Sequence, residues 1–282
     1  MATPKRINNV EMVKEYLNET TSKITDQTKK TYENISKNLD FNIMTKQHLI
    51  VKKLKEAERN PNTTAIYLNI IILVRRHKNE PTDKLIKYRN SLRDDIISIR
   101  KEKLKKVKDE LPTKEELENI LQELNGLKYV INYLFLNYGL RNKDLNLLHV
   151  DKIPDNQKDE NYIMQNKNKT TLIINDYKTD SSFGQKEIKI SDKRFNKELK
   201  SLNLKDNSFM IPKRNGDKMK LTTFNEKIKA MSFKNLGEAK IFKVIIADLI
   251  DKKDYKGIEK MVETRGTSLS TILKSYNVYN TD

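Results

Sequence analysis

From residue 141 onward, five side chains carry groups that could act on a substrate. Arg141 lies in NYGLRNKDLNLLHV, Lys178 in the turn DYKTDSSFGQ, Lys240 and Lys243 in AKIFKVIIADLI, and Tyr276 in SLSTILKSYNVY. Singly, each has an ordinary reading as a solvated cation or a packed ring. Together they supply what attack on a phosphodiester needs: cations for the equatorial oxygens, an acid for the leaving oxygen, and a nucleophile. Arginine suits the first task because its planar fork grips two phosphate oxygens and stays charged. Lysine suits the second because it gives up its proton more readily when desolvated among other cations. A tyrosine hydroxyl surrounded by cations suits the third, and its phosphate ester stores the energy of the broken bond for rejoining. Such chemistry calls for no cofactor and no metal.

Composition narrows the partner. Lys and Arg number 56 against 39 Asp and Glu, a formal net charge of +17 over 282 residues. So large a basic surplus favours a polyanion such as nucleic acid. An acidic membrane is the rival, but the longest apolar run, IYLNIIILV at 66–74, is broken by Asn69 and falls short of a span. The N-terminal residues MATPKRINNVEMVKEYL lack an apolar signal-peptide core, so the expectation is an intracellular protein that is not secreted. The absence of cysteine removes disulfides, thiolate nucleophiles and cysteine-based zinc sites. His48, His77 and His149 are too scattered in sequence to suggest a metal cluster.

The chain that carries these residues reads as two domains, 1–107 and 108–282. From residue 8 to about 110 the apolar positions recur three and four apart in VEMVKEYL, TDQTKKTYENISKNL, MTKQHLIVKKLKEAE and TTAIYLNIIILVRRHK. These predict a helical bundle, with Thr25 or Asp26 capping the second helix and Asn62 or Thr63 the fourth. The segment 82–110 ends in the basic run RKEKLKKVK, read as a solvated or phosphate-contacting interdomain helix. Pro112 and Thr113 before Glu115 and Glu116 then start a new helix. LKYVINYLFLNYG, apolar nearly all round, should be central to the second core. NYIMQNKNKTTLIINDYKTDSSFGQKEIKIS alternates and is β-branched, so it predicts two or three antiparallel strands. Helical spacing returns to the end of the chain. The fold class expected is mainly α with a small antiparallel β-sheet, and His149 is expected to pack at a helix end or strand start.

The second domain resembles the catalytic domain of the tyrosine recombinase (phage-type integrase) family. LPTKEELENIL is similar to the family's opening helix, and NYGLRNKDLNLL to its "TGLRxxELxxL" box, which aligns Arg141 with the first catalytic arginine. TLIINDYKTDSSFGQKEIKIS is similar to the family's β-hairpin, with the catalytic lysine at Lys178. SLSTILKSYNVY is similar to "SISTTLNTYSHV", which makes Tyr276 the nucleophile in preference to Tyr279. The helical first domain resembles the family's core-binding domain. In the second box, His-x-x-Arg, both residues are lysine here, Lys240 and Lys243. The later histidine of the family aligns with Gly266, beside Arg265, a possible substitute cation.

The resemblance implies a site-specific recombinase or integrase of a virus or mobile element. Its two domains would clamp double-stranded DNA and assemble as a dimer or tetramer on it, with strand cleavage through a 3′-phosphotyrosine. Arg141 and Lys243 would hold the phosphate, Lys178 would protonate the leaving oxygen, and Lys240 and Arg265 would support them. A type IB topoisomerase and a non-catalytic DNA-binding relative are the alternatives.

Overall fold

The computed structural model describes residues 8–21, 24–154 and 160–277. These fall into two compact units that divide between Lys103 and Leu104. The fold is mainly helical, with one small sheet confined to the second unit.

The first unit is built from α1 (Asn9–Glu19), α2 (Asp26–Lys37), α3 (Gln47–Glu56), α4 (Pro61–His77), α5 (Asp83–Ser91) and the start of α6 (Arg93–Glu110). Thr25 caps α2, its hydroxyl accepting the Thr28 N–H. The fourth helix starts earlier than Asn62 or Thr63: Pro61 occupies its first turn, and the Asn60 side chain accepts the Asn62 N–H at 3.0 Å. Proline is tolerated there because its missing N–H would have had no helical partner. Leu68, Ile70, Ile71, Ile72 and Val74 of α4 are buried in the unit's core, while Asn69, which interrupts the run, is exposed and accepts from Arg89.

Arg75 joins this core although it is charged. It is 3% exposed, and its guanidinium donates to the carbonyls of Ile43, Thr45 and Pro81 and to Glu80. Burial pushes its pKa down, and Glu80 opposes this.

The second unit opens with α7 (Lys114–Glu123), where Thr113 and Glu116 form a reciprocal capping box, and continues into α8 (Gly126–Tyr138). Two of the N-terminal donors that a helix leaves unpaired are satisfied by that box. Helix α8 is buried on most of its circumference, as its continuous apolar sequence requires. It stops at Gly139, which adopts φ +59; a Cβ there would lie 2.6 Å from the Phe242 ring. Both the left-handed turn and the ring demand glycine.

A short 3-10 turn (Asn142–Leu145) leads into β1 (Leu147–His149), followed by β2 (Asn161–Asn166), β3 (Lys169–Ile174), α9 (Asp180–Phe183), β4 (Lys186–Ile190), α10 (Lys193–Lys200) and β5 (Ser208–Phe209). The sheet order is β4-β3-β2-β1-β5. The expected antiparallel strands are β2, β3 and β4. Two strands were not anticipated: β1 pairs with β2 in parallel, and β5 pairs antiparallel with β1. They contain three and two residues, too few for an alternating pattern to show. His149 ends β1 and its Nδ1 is 3.0 Å from the Lys205 carbonyl oxygen.

The chain closes with α11 (Leu221–Met231), α12 (Glu238–Asp251), α13 (Tyr255–Arg265) and α14 (Leu269–Ser275). Ile241, Phe242, Ile245 and Ile246 of α12 share a core with Val130, Leu134 and Phe135 of α8 and Leu172, Ile174 and Ile188 of the sheet. No described helix is long and apolar enough to cross a membrane.

Candidate active site

The junction after α8 sets Arg141. The left-handed turn at Gly139 reverses the chain, Leu140 anchors it in the core, and Arg141 follows in extended conformation. Its backbone N–H donates to Asp144 Oδ2 at 3.0 Å, and the neighbouring Asn142 N–H donates to Glu238 at the start of α12. The backbone on both sides of the Arg141 peptide is thus held by carboxylates. The half-buried Arg141 guanidinium donates through Nη1 to the backbone carbonyl of Arg265. Burial pushes its pKa down, Arg265 adds to this, and Asp144, Glu238 and Tyr276 oppose it.

Arg265, the last residue of α13, is 1% exposed and links the parts of the site. Its Nη1 donates to the Gly139 carbonyl at 2.7 Å, and its Nη2 donates to Glu238 Oε1 at 3.1 Å and to the Tyr276 hydroxyl at 3.3 Å. The guanidinium carbon lies 4.1 Å from the centroid of Phe242 and 5.1 Å from that of Tyr276. Its Nε is buried without a partner, as is Asp144 Oδ1. Buried polar atoms left unpaired cost stability, so each calls for a cause.

Tyr276 follows α14 and donates its N–H to the Ile272 carbonyl at 2.9 Å. Its ring meets Phe242 edge to face, centroids 4.8 Å apart, which fixes the direction of the hydroxyl. Lys243, one turn along α12 from Lys240, is half-buried near this tyrosine. Burial pushes its pKa down, and Tyr276 partly offsets this.

Arg141, Arg265, Lys243 and Tyr276 are therefore brought together, from segments more than 100 residues apart in the case of Arg141 and Arg265. Lys240 turns toward Glu110, with Nζ 3.7 Å from its carboxylate. Lys178 is exposed in the turn between β3 and α9. Tyr279 lies outside the described residues.

The structure adds three residues that the sequence reading passed over: Glu238, Asp144 and Lys186. Lys186 begins β4 and is 9% exposed. Its Nζ donates to the Thr264 carbonyl at 3.0 Å and sits 3.4 Å from the centroid of the Tyr177 ring. Burial brings its pKa down to about 8; Arg141 and Arg265 push the same way, and Asp144 opposes them. The sequence carried a signal. In KEIKI, Lys186 is in phase with the inward-facing Ile188 and Ile190, where a lysine is unexpected unless it has work to do. Glu238 was hidden because an acidic residue at a helix N-terminus is common for electrostatic reasons alone.

What the arrangement can do chemically is hold an anion between arginine and lysine groups beside a tyrosine hydroxyl. No protein-family model matches this sequence, and no curated protein matches it. Among solved structures, the crystal structure of XerA recombinase aligns with 95% of this chain and 93% of that one, at 10% identity and a TM-score of 0.36, an overlap too low to establish a shared fold.

Proposed function

We propose that the protein cuts and rejoins double-stranded DNA, with Tyr276 as the nucleophile and a 3′-phosphotyrosine as the intermediate. The observation that carries this reading is the contact between the Tyr276 hydroxyl and the buried Arg265, whose own carbonyl holds Arg141. A hydroxyl held in place by a fixed cation is positioned for attack on an anion that the neighbouring cations bind.

Arg141 and Lys243 grip the scissile phosphate, and Arg265 contributes the charge that the glycine next to it cannot. Lys240, tied to Glu110, supports them from the adjacent turn. Two lysines can serve the leaving oxygen: Lys178, which the family resemblance aligns with that task, and Lys186, which the fold places beside Arg141. The formal charge of +17 supplies non-specific affinity for the DNA backbone, which makes binding fall steeply as salt rises. The biological setting that fits is site-specific recombination by a virus or mobile element, inside the cell where the target DNA lies, with two or four copies assembled on DNA.

The test is a nicked suicide duplex that traps the covalent adduct. Wild-type protein should give a protein–DNA adduct that Tyr276→Phe does not. An adduct that survives the substitution removes Tyr276 from the role. Tight, salt-sensitive binding without any adduct marks a non-catalytic DNA binder, and relaxation of supercoils by a monomer marks a topoisomerase.

A further inference from the structure

Gly266 occupies the position where the resemblance expects a histidine, and from the sequence this looks like a lost donor. The fold gives the glycine a different meaning. It caps α13 at φ +57, and a Cβ built on it would lie 2.7 Å from Tyr177 Cε2 and 2.8 Å from Lys186 Nζ. The space that a side chain at 266 would need is already filled by the Lys186 ammonium and the ring beneath it.

The neighbours of that ammonium suit a group that gives up a proton. An ammonium has three N–H groups; one goes to the Thr264 carbonyl and one side faces the Tyr177 ring, which leaves the third. The charged and titratable groups around it are Asp144 from the 3-10 turn, Arg141 before it, Arg265 at the end of α13 and Tyr177 after β3. Tyr177 is itself held by its hydroxyl on the Gly184 carbonyl at 2.6 Å. Thr179 donates to the Gly266 carbonyl, tying the segment that carries Tyr177 to the glycine.

We propose, resting on the cleavage reading above, that Lys186 is the proton donor to the leaving oxygen and that Gly266 is what admits it. In the step, Tyr276 releases its phenolic proton to water and its Oη–P bond forms. The P–O5′ bond breaks with its electron pair on O5′, which takes a proton from the Lys186 ammonium. The neutral amine is recharged from water. The burial that brings the Lys186 pKa to about 8 makes it an acid matched to near-neutral pH.

The test uses single-turnover cleavage of a nicked duplex pool with randomised arms, in which the bridging 5′ atom is oxygen or sulfur. A sulfur leaving group departs without a proton, so loss of the acid should harm only the oxygen substrate. Lys186→Met should cleave the oxygen substrate about 10²- to 10³-fold more slowly and the sulfur substrate within a few-fold of wild type. Lys186→Arg should behave alike, since arginine keeps the charge but does not release a proton. Wild-type cleavage of the oxygen substrate should fall as pH rises through about 8, and sulfur cleavage should lack that limb.

The proposal is overturned if Lys186→Met and Lys186→Arg cleave oxygen like wild type, if they lose both substrates equally, or if Lys178→Met shows the sulfur-specific rescue instead. In each of those cases a wild-type adduct that depends on Tyr276 leaves the cleavage reading standing. If wild-type protein forms no adduct with either substrate, both the proposal and the cleavage reading fail.

Discussion

Two buried arginines, Arg75 in the first unit and Arg265 in the second, differ in how fully they are used. Arg75 is 3% exposed and donates from Nε, Nη1 and Nη2 to three carbonyls and to Glu80. It clasps the ends of a helical core. Arg265 is 1% exposed, yet its Nε has no partner and one of its contacts is a tyrosine hydroxyl. A buried arginine with all its groups satisfied is a structural clasp. One that leaves a buried donor unpaired and contacts a tyrosine hydroxyl is not fully explained by holding the fold together.

The comparison predicts different failures for the two regions. The largest effect belongs to Tyr276→Phe, which should bring adduct formation below detection while thermal unfolding shifts by only a few degrees. Next is Arg265→Lys. It loses the planar fork that reaches Gly139, Glu238 and Tyr276 at once, and cleavage should slow by about 10²- to 10³-fold. Arg75→Ala should cost about 3 kcal/mol in denaturant unfolding, because three carbonyls and Glu80 lose their partner, with cleavage per folded molecule unchanged. If Arg75→Ala slowed cleavage as much as Arg265→Lys, the distinction between clasp and site would collapse.

A smaller effect should have the opposite sign. Burial lowers the Lys186 pKa, so the charged lysine penalises the folded state wherever it is protonated in both states, which is below about pH 8. Between pH 8 and the ordinary lysine value that penalty fades as the folded lysine becomes neutral. Lys186→Met should therefore stabilise the protein by roughly 1–2 kcal/mol at pH 7, less at pH 9, even as it slows cleavage of the oxygen substrate. Parallel urea melts at the two pH values check this. The smallest effect is that of Glu80→Gln, whose carboxylate is 45% exposed: about 0.5 kcal/mol or less, and reduced further by salt. Glu238→Gln, at 20% exposure and with Asn142 and Arg265 as partners, should cost more than Glu80→Gln in the same melts.

Local chemistry made much of this legible from the sequence. The capping pair Thr113 and Glu116, the all-round apolar α8 and the alternation in β2 to β4 each concern residues a few positions apart, whose geometry follows from the helical or extended backbone. The turn before Arg141 was legible for the same reason, because Tyr138-Gly139 and the leucines after it form one local unit. Strands β1 and β5 were not, since two or three residues carry no period and are strands only because β2 lies alongside. Lys178 stands out only through the family resemblance, whereas the inward phase of Lys186 gains meaning once the buried face of β4 is known.

Composition and local pattern set out the materials: a strongly basic chain without cysteine, a helical first domain, a helix–sheet–helix second domain, and an arginine and a tyrosine far apart within it. Their meeting depends on packing. Arg141 reaches the Arg265 carbonyl across 124 positions of chain, and Lys186 reaches that of Thr264 across 78. Separations of that length are set by how α8, α12 and β4 share one core, which no spacing rule encodes. Gly266 shows the consequence. Along the chain it is a missing side chain, and in the fold it is the room that Lys186 occupies.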